Sequence, residues 1–284
     1  MIVVTGAGGT VGTELVKALS AAGAQFRAAY HSADKVDRAR TSGLNAVAVD
    51  YAKPETVAGA LAGADHLFLL GAGAVGQTDA EIGVVRAAKQ AGVRHVVKLS
   101  VWGAGDESFS FAKVHRPIER AIEASGLGWT FLRPNSFMQN LSNFYAATIR
   151  SQGAFYLPSR NARISHVDVR DVAAVASTAL TEPGHEGKIY TLSGPEGLSY
   201  VEVAAKLSAA IGKPVRYVDV PDADFKQGAI AAGMPEAYAE AILSLIRYYD
   251  GGHASQVTQD FERVAGRKPT AFDQFARDNA AAFL

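Results

Sequence analysis

Four glycines crowd one seven-residue stretch, Gly6-Ala7-Gly8-Gly9-Thr10-Val11-Gly12, directly after the apolar run Met1–Thr5. An amphipathic segment with Val11, Leu15, Val16 and Leu19 on one face begins at once. A strand that enters a helix through such a turn gathers bare backbone N–H groups and the positive helix end at one point, where a pyrophosphate binds. Context makes this signal specific: a glycine pattern alone is weak, whereas strand, turn and helix in order are informative. Gly6, Gly8, Gly9, Thr10, Val11 and Gly12 are therefore candidate cofactor-binding residues.

The end of the second strand selects between nicotinamide cofactors. An acid there binds the ribose 2′-hydroxyl of NAD, while basic or small polar residues accept the phosphate of NADP. Here Tyr30 and His31 stand where the acid belongs, and Asp34 comes too late, in the first turn of the next helix. His31, Ser32 and Lys35 can surround a phosphate, so NADP is expected, with NAD as the alternative. Asp50, after the third strand, joins the cofactor-binding candidates, as do Gly71-Ala72-Gly73 after the fourth and Ser100 after the fifth.

A carbonyl reduction also needs a proton. No tyrosine has a lysine four residues later, which removes the Tyr-x-x-x-Lys pair of short-chain dehydrogenases. There is no Gly-x-Ser-x-Gly or His-Glu-x-x-His, no cysteine, and the seven histidines are scattered. Neither a metal nor a flavin is expected. The remaining chemistry lies in Phe111–Glu119, which contains His115, and in Leu132–Asn140. His115 is the candidate catalytic acid, provided its surroundings raise its pKa; packing against a ligand is the equal alternative. Trp102, Phe137 and Met138 are candidate substrate contacts, with Phe144 also available for an apolar pocket. Pro134, Asn135 and Phe137 are candidate cofactor contacts, although Asn135 and Gln139 can equally cap a helix starting near Ser136. Asp168 reads as a helix cap, and Arg170–Asp171 as a surface pair.

Strand and helix signals alternate around these groups. Strands are expected at 25–30, 45–49, 66–70, 95–99 and 129–132, with helices at 33–42, 54–61, 79–91 and 112–124. Such repetition implies an α/β fold, a parallel sheet wound on both faces, with ligands at the carboxyl ends of its strands. Beyond Pro134 the pattern loosens into a helix at 136–150, short strands at 155–157 and 162–165, and a helix at 168–180. A strand at 188–192, a helix at 200–211, a strand at 215–218 and a mainly helical tail follow. The expected division is residues 1–150 as an NAD(P)-binding domain, with returns from about 163–192. Residues 193–284, with about 136–162, form a smaller, mainly helical substrate lobe.

Lysine plus arginine and aspartate plus glutamate both number 28, so the formal charge is zero and no nucleic-acid or membrane surface is implied. No apolar run reaches a membrane-spanning length. A chain that opens on a core strand leaves no room for a signal peptide, and a cytoplasmic protein is expected. It is expected to act as a monomer or homodimer on a small aromatic substrate.

Beyond these local readings, the glycine turn, "GADHLFLLGAG", "AGVRHVVKLS", "SGLGWTFLRPNSFMQN", "EPGHEGKIYTLSGPE" and "GRKPTAFDQFARDNAAAF" together resemble the NmrA-like atypical short-chain dehydrogenase/reductases. The likeness is to their bacterial NAD(P)H:quinone oxidoreductases and triphenylmethane-dye reductases, and it covers nearly the whole chain. It implies direct hydride delivery from NADPH to a quinone-like or other conjugated aromatic acceptor. It also implies that Gly6–Gly12, the segment around His31, Gly71–Gly73 and Pro134–Met138 line the cofactor. His115 falls near the place where the related ether reductases carry a catalytic lysine, and departs from them in type. The family also contains non-catalytic redox sensors that act through a protein partner. A biosynthetic tailoring reductase or epimerase is a further alternative.

Overall fold

The computed structural model describes residues 1–71 and 76–284. The chain divides into two compact units of nearly equal length. The first comprises Met1–Val101, Val114–Arg133 and Val169–Tyr190; the second comprises Trp102–Lys113, Pro134–Asp168 and Thr191–Leu284. The expected division gave 102–113 and 134–135 to the cofactor half; both cluster with the second unit.

From the start of the chain, strand and helix alternate as β1 (Ile2–Val4), α1 (Thr10–Ala21), β2 (Phe26–Tyr30), α2 (Ala33–Thr41), β3 (Ala46–Ala48), α3 (Pro54–Leu61), β4 (His66–Leu69), α4 (Gln77–Gln90), β5 (His95–Leu99), α5 (Ser110–Ser125) and β6 (Gly128–Pro134). The sheet is ordered β3-β2-β1-β4-β5-β6-β8, with β8 at Lys188–Leu192. Pairing from β3 through β6 is parallel. Strand order reverses between β1 and β4, which fixes where a ligand binds in such a sheet.

Alternation explains both faces. Val3, Leu67, Leu69, Val96 and Phe131 point to one side and pack with Val57 and Leu61 of α3, Val84 and Val85 of α4, and Ile118 and Ile122 of α5. On the other side α1 packs against α7 (Val169–Thr181), burying Leu15 and Leu19 completely. Each such leucine contributes about 2 kcal/mol. Helix α7 is buried along most of its length, and Asp171 is buried with it. The reading of Arg170–Asp171 as a surface pair therefore fails.

The second unit contains α6 (Ala146–Gln152), β7 (Ala154–Leu157), α8 (Tyr200–Ile211), β9 (Arg216–Asp219), α9 (Asp222–Ala231), α10 (Glu236–Asp250), α11 (Asp260–Ala265) and α12 (Phe272–Asp278). β7 and β9 form a parallel pair. Leu141, Phe155, Leu207, Phe272, Phe275 and Phe283 supply its core. Ser199 starts α8 through a reciprocal capping box with Glu202.

Two local expectations change. The strand expected at 162–165 is one isolated bridge, Ile164 to Leu198. Its neighbours bond elsewhere, Ser165 N–H to the Ala254 carbonyl and Gly194 N–H to the Ser165 carbonyl, so no ladder can extend. The helix expected from Ser136 starts later, because Phe137 is in a parallel bridge with Val167. A π-helical turn, Leu141–Tyr145, then leads into α6. Among the described residues, no helix is long and apolar enough to cross a membrane.

Candidate active site

In the first unit, the glycine turn closes on itself. Gly9 N–H donates to the Gly6 carbonyl at 3.0 Å. A Cβ on Gly12 would lie 2.1 Å from that oxygen, so only glycine lets α1 start this close to the turn. No side chain caps α1 at Gly9. Gly8, Gly9 and Thr10 are exposed, whereas the Val11 side chain is buried in the core and offers a ligand only its backbone. Such a turn, with the N–H groups of a helix start and the positive end of its dipole, has the geometry that suits phosphate oxygens.

Lys35, from the first turn of α2, reaches over the turn and donates from Nζ to the Gly8 carbonyl at 3.3 Å. His31 is exposed, and Ser32 stands at the start of α2 without using its side chain as a cap. An exposed cation and two polar side chains at this strand end, with no carboxylate before Asp34, suit a phosphate better than a ribose diol. The residues present therefore fit NADP. Asp50 is used locally: its Oδ1 accepts the Ala52 N–H at 3.0 Å at the approach to α3. That anchors a turn.

The carboxyl end of β4 is held from three sides. Leu70 donates its N–H to Thr5 Oγ1 at 2.9 Å, and its carbonyl accepts from the Tyr51 hydroxyl at 3.0 Å. Next to it, a Cβ on Gly71 would come within 2.4 Å of Glu81 Oε1. Glu81 also accepts from Gln77 at 2.7 Å and pairs with Lys98 Nζ at 2.9 Å, both charged side chains being wholly buried. Sequence reasoning passed over Lys98 as one residue of a strand. Ala72 and Gly73 lie outside the described residues.

Ser100 belongs to a second buried network. Its hydroxyl donates to Glu119 Oε1 at 2.6 Å. Glu119 is gripped by Arg133, Nε to Oε1 at 2.9 Å and Nη2 to Oε2 at 2.6 Å, and by Arg116 at 3.1 Å. The serine orders the loop rather than presenting a free hydroxyl.

His115 does not meet the condition set for an acid. Burial, reinforced by the nearby Lys98 ammonium, pushes its pKa well below the ordinary histidine value. Its Nδ1 is buried without a hydrogen-bond partner. The ring is thus neutral at pH 7 and carries no imidazolium proton to give.

In the second unit, several candidates are already committed. Asn135 is 3% exposed. Its amide donates to Ser165 Oγ and to the Ala254 carbonyl, both at 2.9 Å, and its Oδ1 accepts the Ser136 N–H at 2.9 Å. An amide so engaged ties segments together and has little left for a cofactor. Trp102 is also buried, with its indole N–H donated to the His253 carbonyl at 2.7 Å. Met138 is a core residue. Pro134 is buried and accepts the Trp102 N–H through its carbonyl at 2.9 Å. Phe137 is half-buried and Phe144 is exposed. Gln139 donates to Asp168 Oδ1 at 2.9 Å.

His166 is buried with both ring nitrogens lacking a well-formed hydrogen bond. Burial lowers its pKa to about 4, with only the Ser136 backbone pulling the other way. His95, buried against Thr130 at 2.9 Å, is likewise lowered to about 4, chiefly by burial. These groups stay neutral in the fold while the unfolded chain takes up protons below about pH 6.5. Stability should therefore fall between pH 6.5 and 4 and then level off for these residues, by roughly 3 kcal/mol for His166 alone. Urea midpoints at pH 7.5, 6 and 4.5 check this. A flat profile, or the same loss in His166→Phe, would remove His166 as the cause.

With this geometry in view, comparison with known proteins is decisive. The NmrA-like family model matches residues 1–276. The chain belongs to the NmrA-like family. An NAD(P)H azoreductase from Xenophilus azovorans is 38% identical over 284 residues, covering 100% of this chain and 99% of the relative. Among solved structures, the Citrobacter triphenylmethane reductase complexed with NADP(H) superposes with a TM-score of 0.85 at 28% identity, covering 98% of this chain and 99% of that one. The Escherichia coli NADPH-dependent quinone oxidoreductase complexed with NADPH gives 0.88 at 26% identity, with the same coverage. This NmrA-like chain thus shares its seven-stranded sheet and its helical C-terminal part with reductases.

Proposed function

We propose that this NmrA-like protein is an NADPH-dependent reductase that delivers hydride directly to a quinone-like or other conjugated aromatic acceptor. Its family membership and its reductase relatives make it an NAD(P)H-dependent oxidoreductase. The observation that carries the choice of cofactor is Lys35, whose ammonium reaches over the glycine turn at a strand end without a carboxylate. Bound there, the reduced nicotinamide supplies the hydride, so the protein's own contribution is position and electrostatics.

Gly6–Gly12 and the start of α1 hold the pyrophosphate, and Lys35, Ser32 and His31 receive the 2′-phosphate. Thr5, Tyr51 and Glu81 fix the backbone at Leu70–Gly71. The proton side argues for the acceptor class. Reduction of a simple ketone leaves an alkoxide, which requires an acid in the site. Reduction of a quinone leaves a phenolate-like oxygen of far lower basicity, about that of tyrosine, which takes its proton from water. A site without the tyrosine–lysine pair and with His115 held neutral suits the second case.

Steady-state oxidation of NADPH across a panel of quinones and cationic dyes tests this reading; no acceptor-dependent oxidation would overturn it. Lys35→Ala should raise the NADPH Kd about tenfold and leave NADH nearly unchanged, as expected for loss of one charge-assisted contact to phosphate. Equal weakening of both cofactors would argue against the 2′-phosphate assignment.

A further inference from the structure

Gly6, Gly9 and Gly12 are spaced three apart, and Gly8 falls outside that spacing. Its backbone does not call for glycine, since its φ lies outside the left-handed region. The space beside it does. A Cβ on Gly8 would lie 3.0 Å from Cδ and 3.2 Å from Nζ of Lys35, and 3.2 Å from Cδ1 of Tyr30. A Cβ on Gly12, by contrast, would meet the backbone of the turn itself. The vacant side of Gly8 is thus filled from β2 and α2, the two elements that flank His31 and Ser32.

These two neighbours differ in how far they can yield. Tyr30 closes β2 and is buried, so close packing holds its ring. Lys35 is exposed on the first turn of α2. Its stem crosses the face of Gly8, and its Nζ donates to the Gly8 carbonyl at 3.3 Å. That bond is longer than an ordinary one and ends on a neutral oxygen. It is readily exchanged for a charge-assisted contact to a phosphate. Among the described residues the carbonyl is the ammonium's one polar partner, and no carboxylate pairs with it. A lysine free in solvent loses much rotamer freedom on gripping a ligand, and one already laid along the turn loses less.

We infer that Gly8 determines cofactor specificity: its missing side chain is the seat of the Lys35 stem, which holds the ammonium over the turn for a 2′-phosphate. Gly8 is a positioning residue in this, because it acts through Lys35. The inference rests on the reading of Lys35 as the 2′-phosphate contact. In Gly8→Ala the buried ring stays and the exposed lysine is pushed off. The 2′-phosphate then loses its cation, while the turn keeps its N–H groups for the other phosphates.

The test uses the full chain and two probes that differ by the 2′-phosphate alone, adenosine 2′,5′-bisphosphate and adenosine 5′-monophosphate, titrated by calorimetry. The parent should prefer the bisphosphate at least about tenfold, as one charge-assisted contact gives. Gly8→Ala should weaken bisphosphate binding about fivefold and monophosphate binding less than about twofold. In the Lys35→Ala background the same substitution should move the bisphosphate Kd less than about twofold, because the seat then has no occupant. The thermal midpoint of Gly8→Ala should stay within about 2 °C of the parent. Equal weakening of both probes, or an effect that adds in full to that of Lys35→Ala, overturns the inference, since Gly8 would then serve the 5′-phosphate both probes carry. A lowered midpoint overturns it too, because Tyr30 and not Lys35 would have given way. Those outcomes leave the 2′-phosphate reading of Lys35 standing. A parent with no preference for the bisphosphate removes that reading and the seat together.

Discussion

Lys98→Met is expected to destabilise the protein by about 3–5 kcal/mol and to weaken NADPH binding at the same time. Lys98 and Glu81 are both fully buried, 2.9 Å apart on adjoining elements of the first unit. Removing the ammonium leaves a carboxylate in the core with Gln77 as its remaining side-chain hydrogen-bond partner. That carboxylate occupies the place a Gly71 Cβ would take, so its displacement moves the backbone at the end of β4. The paired variant Lys98→Met/Glu81→Leu should recover most of the stability, since a buried ion pair replaced by apolar groups of similar volume is often neutral. It should not recover NADPH affinity if the carboxylate is what positions Leu70–Gly71. Urea unfolding and fluorescence titration of NADPH separate the two effects. A Lys98→Met protein within about 1 kcal/mol of the parent would sink the argument.

That ion pair also shows where the sequence was legible and where it was not. The glycine turn, the strand–helix alternation and the missing Tyr-x-x-x-Lys pair are local patterns, and each translates directly into an element or an absence of chemistry. Helix ends near Gly233, Gly251 and Gly266 were readable for the same reason. Lys98 was not, because a lysine inside "HVVKLS" has no local mark of burial, and Glu81 becomes its partner only when β5 packs beside α4. Asn135 looked like a ligand contact, since an asparagine after a strand offers an amide. Its partners Ser165 and Ala254 lie 30 and 119 residues away. Trp102 was read as a pocket wall from its type, while its indole N–H is committed 151 residues down the chain. The hydrogen bond from the Tyr248 hydroxyl to Asp106 was missed entirely, because its partners meet across 142 residues. What depends on sequence-distant pairs is decided by tertiary packing, and single-sequence periodicity does not encode it.

Gly12→Ala should reduce NADPH affinity at least about a hundredfold and destabilise the first unit by about 1–3 kcal/mol. The added methyl would meet the Gly6 carbonyl oxygen at 2.1 Å, with the Gly6 carbonyl carbon and Ala7 Cα also inside 3.0 Å. All three are backbone atoms, so no side chain can swing aside. The start of α1 must move away from the turn, and the N–H groups lose their common focus. Gly9→Ala is the matched control in the same loop. Its Cβ would stand 3.4 Å from the same oxygen, in ordinary contact, and its φ of −89° suits any residue. Alanine there should cost less than about 1 kcal/mol, so that any loss of NADPH affinity reports crowding at the phosphates alone. Equilibrium unfolding and NADPH titration on both variants distinguish the two mechanisms. If Gly12→Ala retained NADPH affinity within about threefold, the closed turn would not be the phosphate cradle, because its geometry could not have survived the substitution.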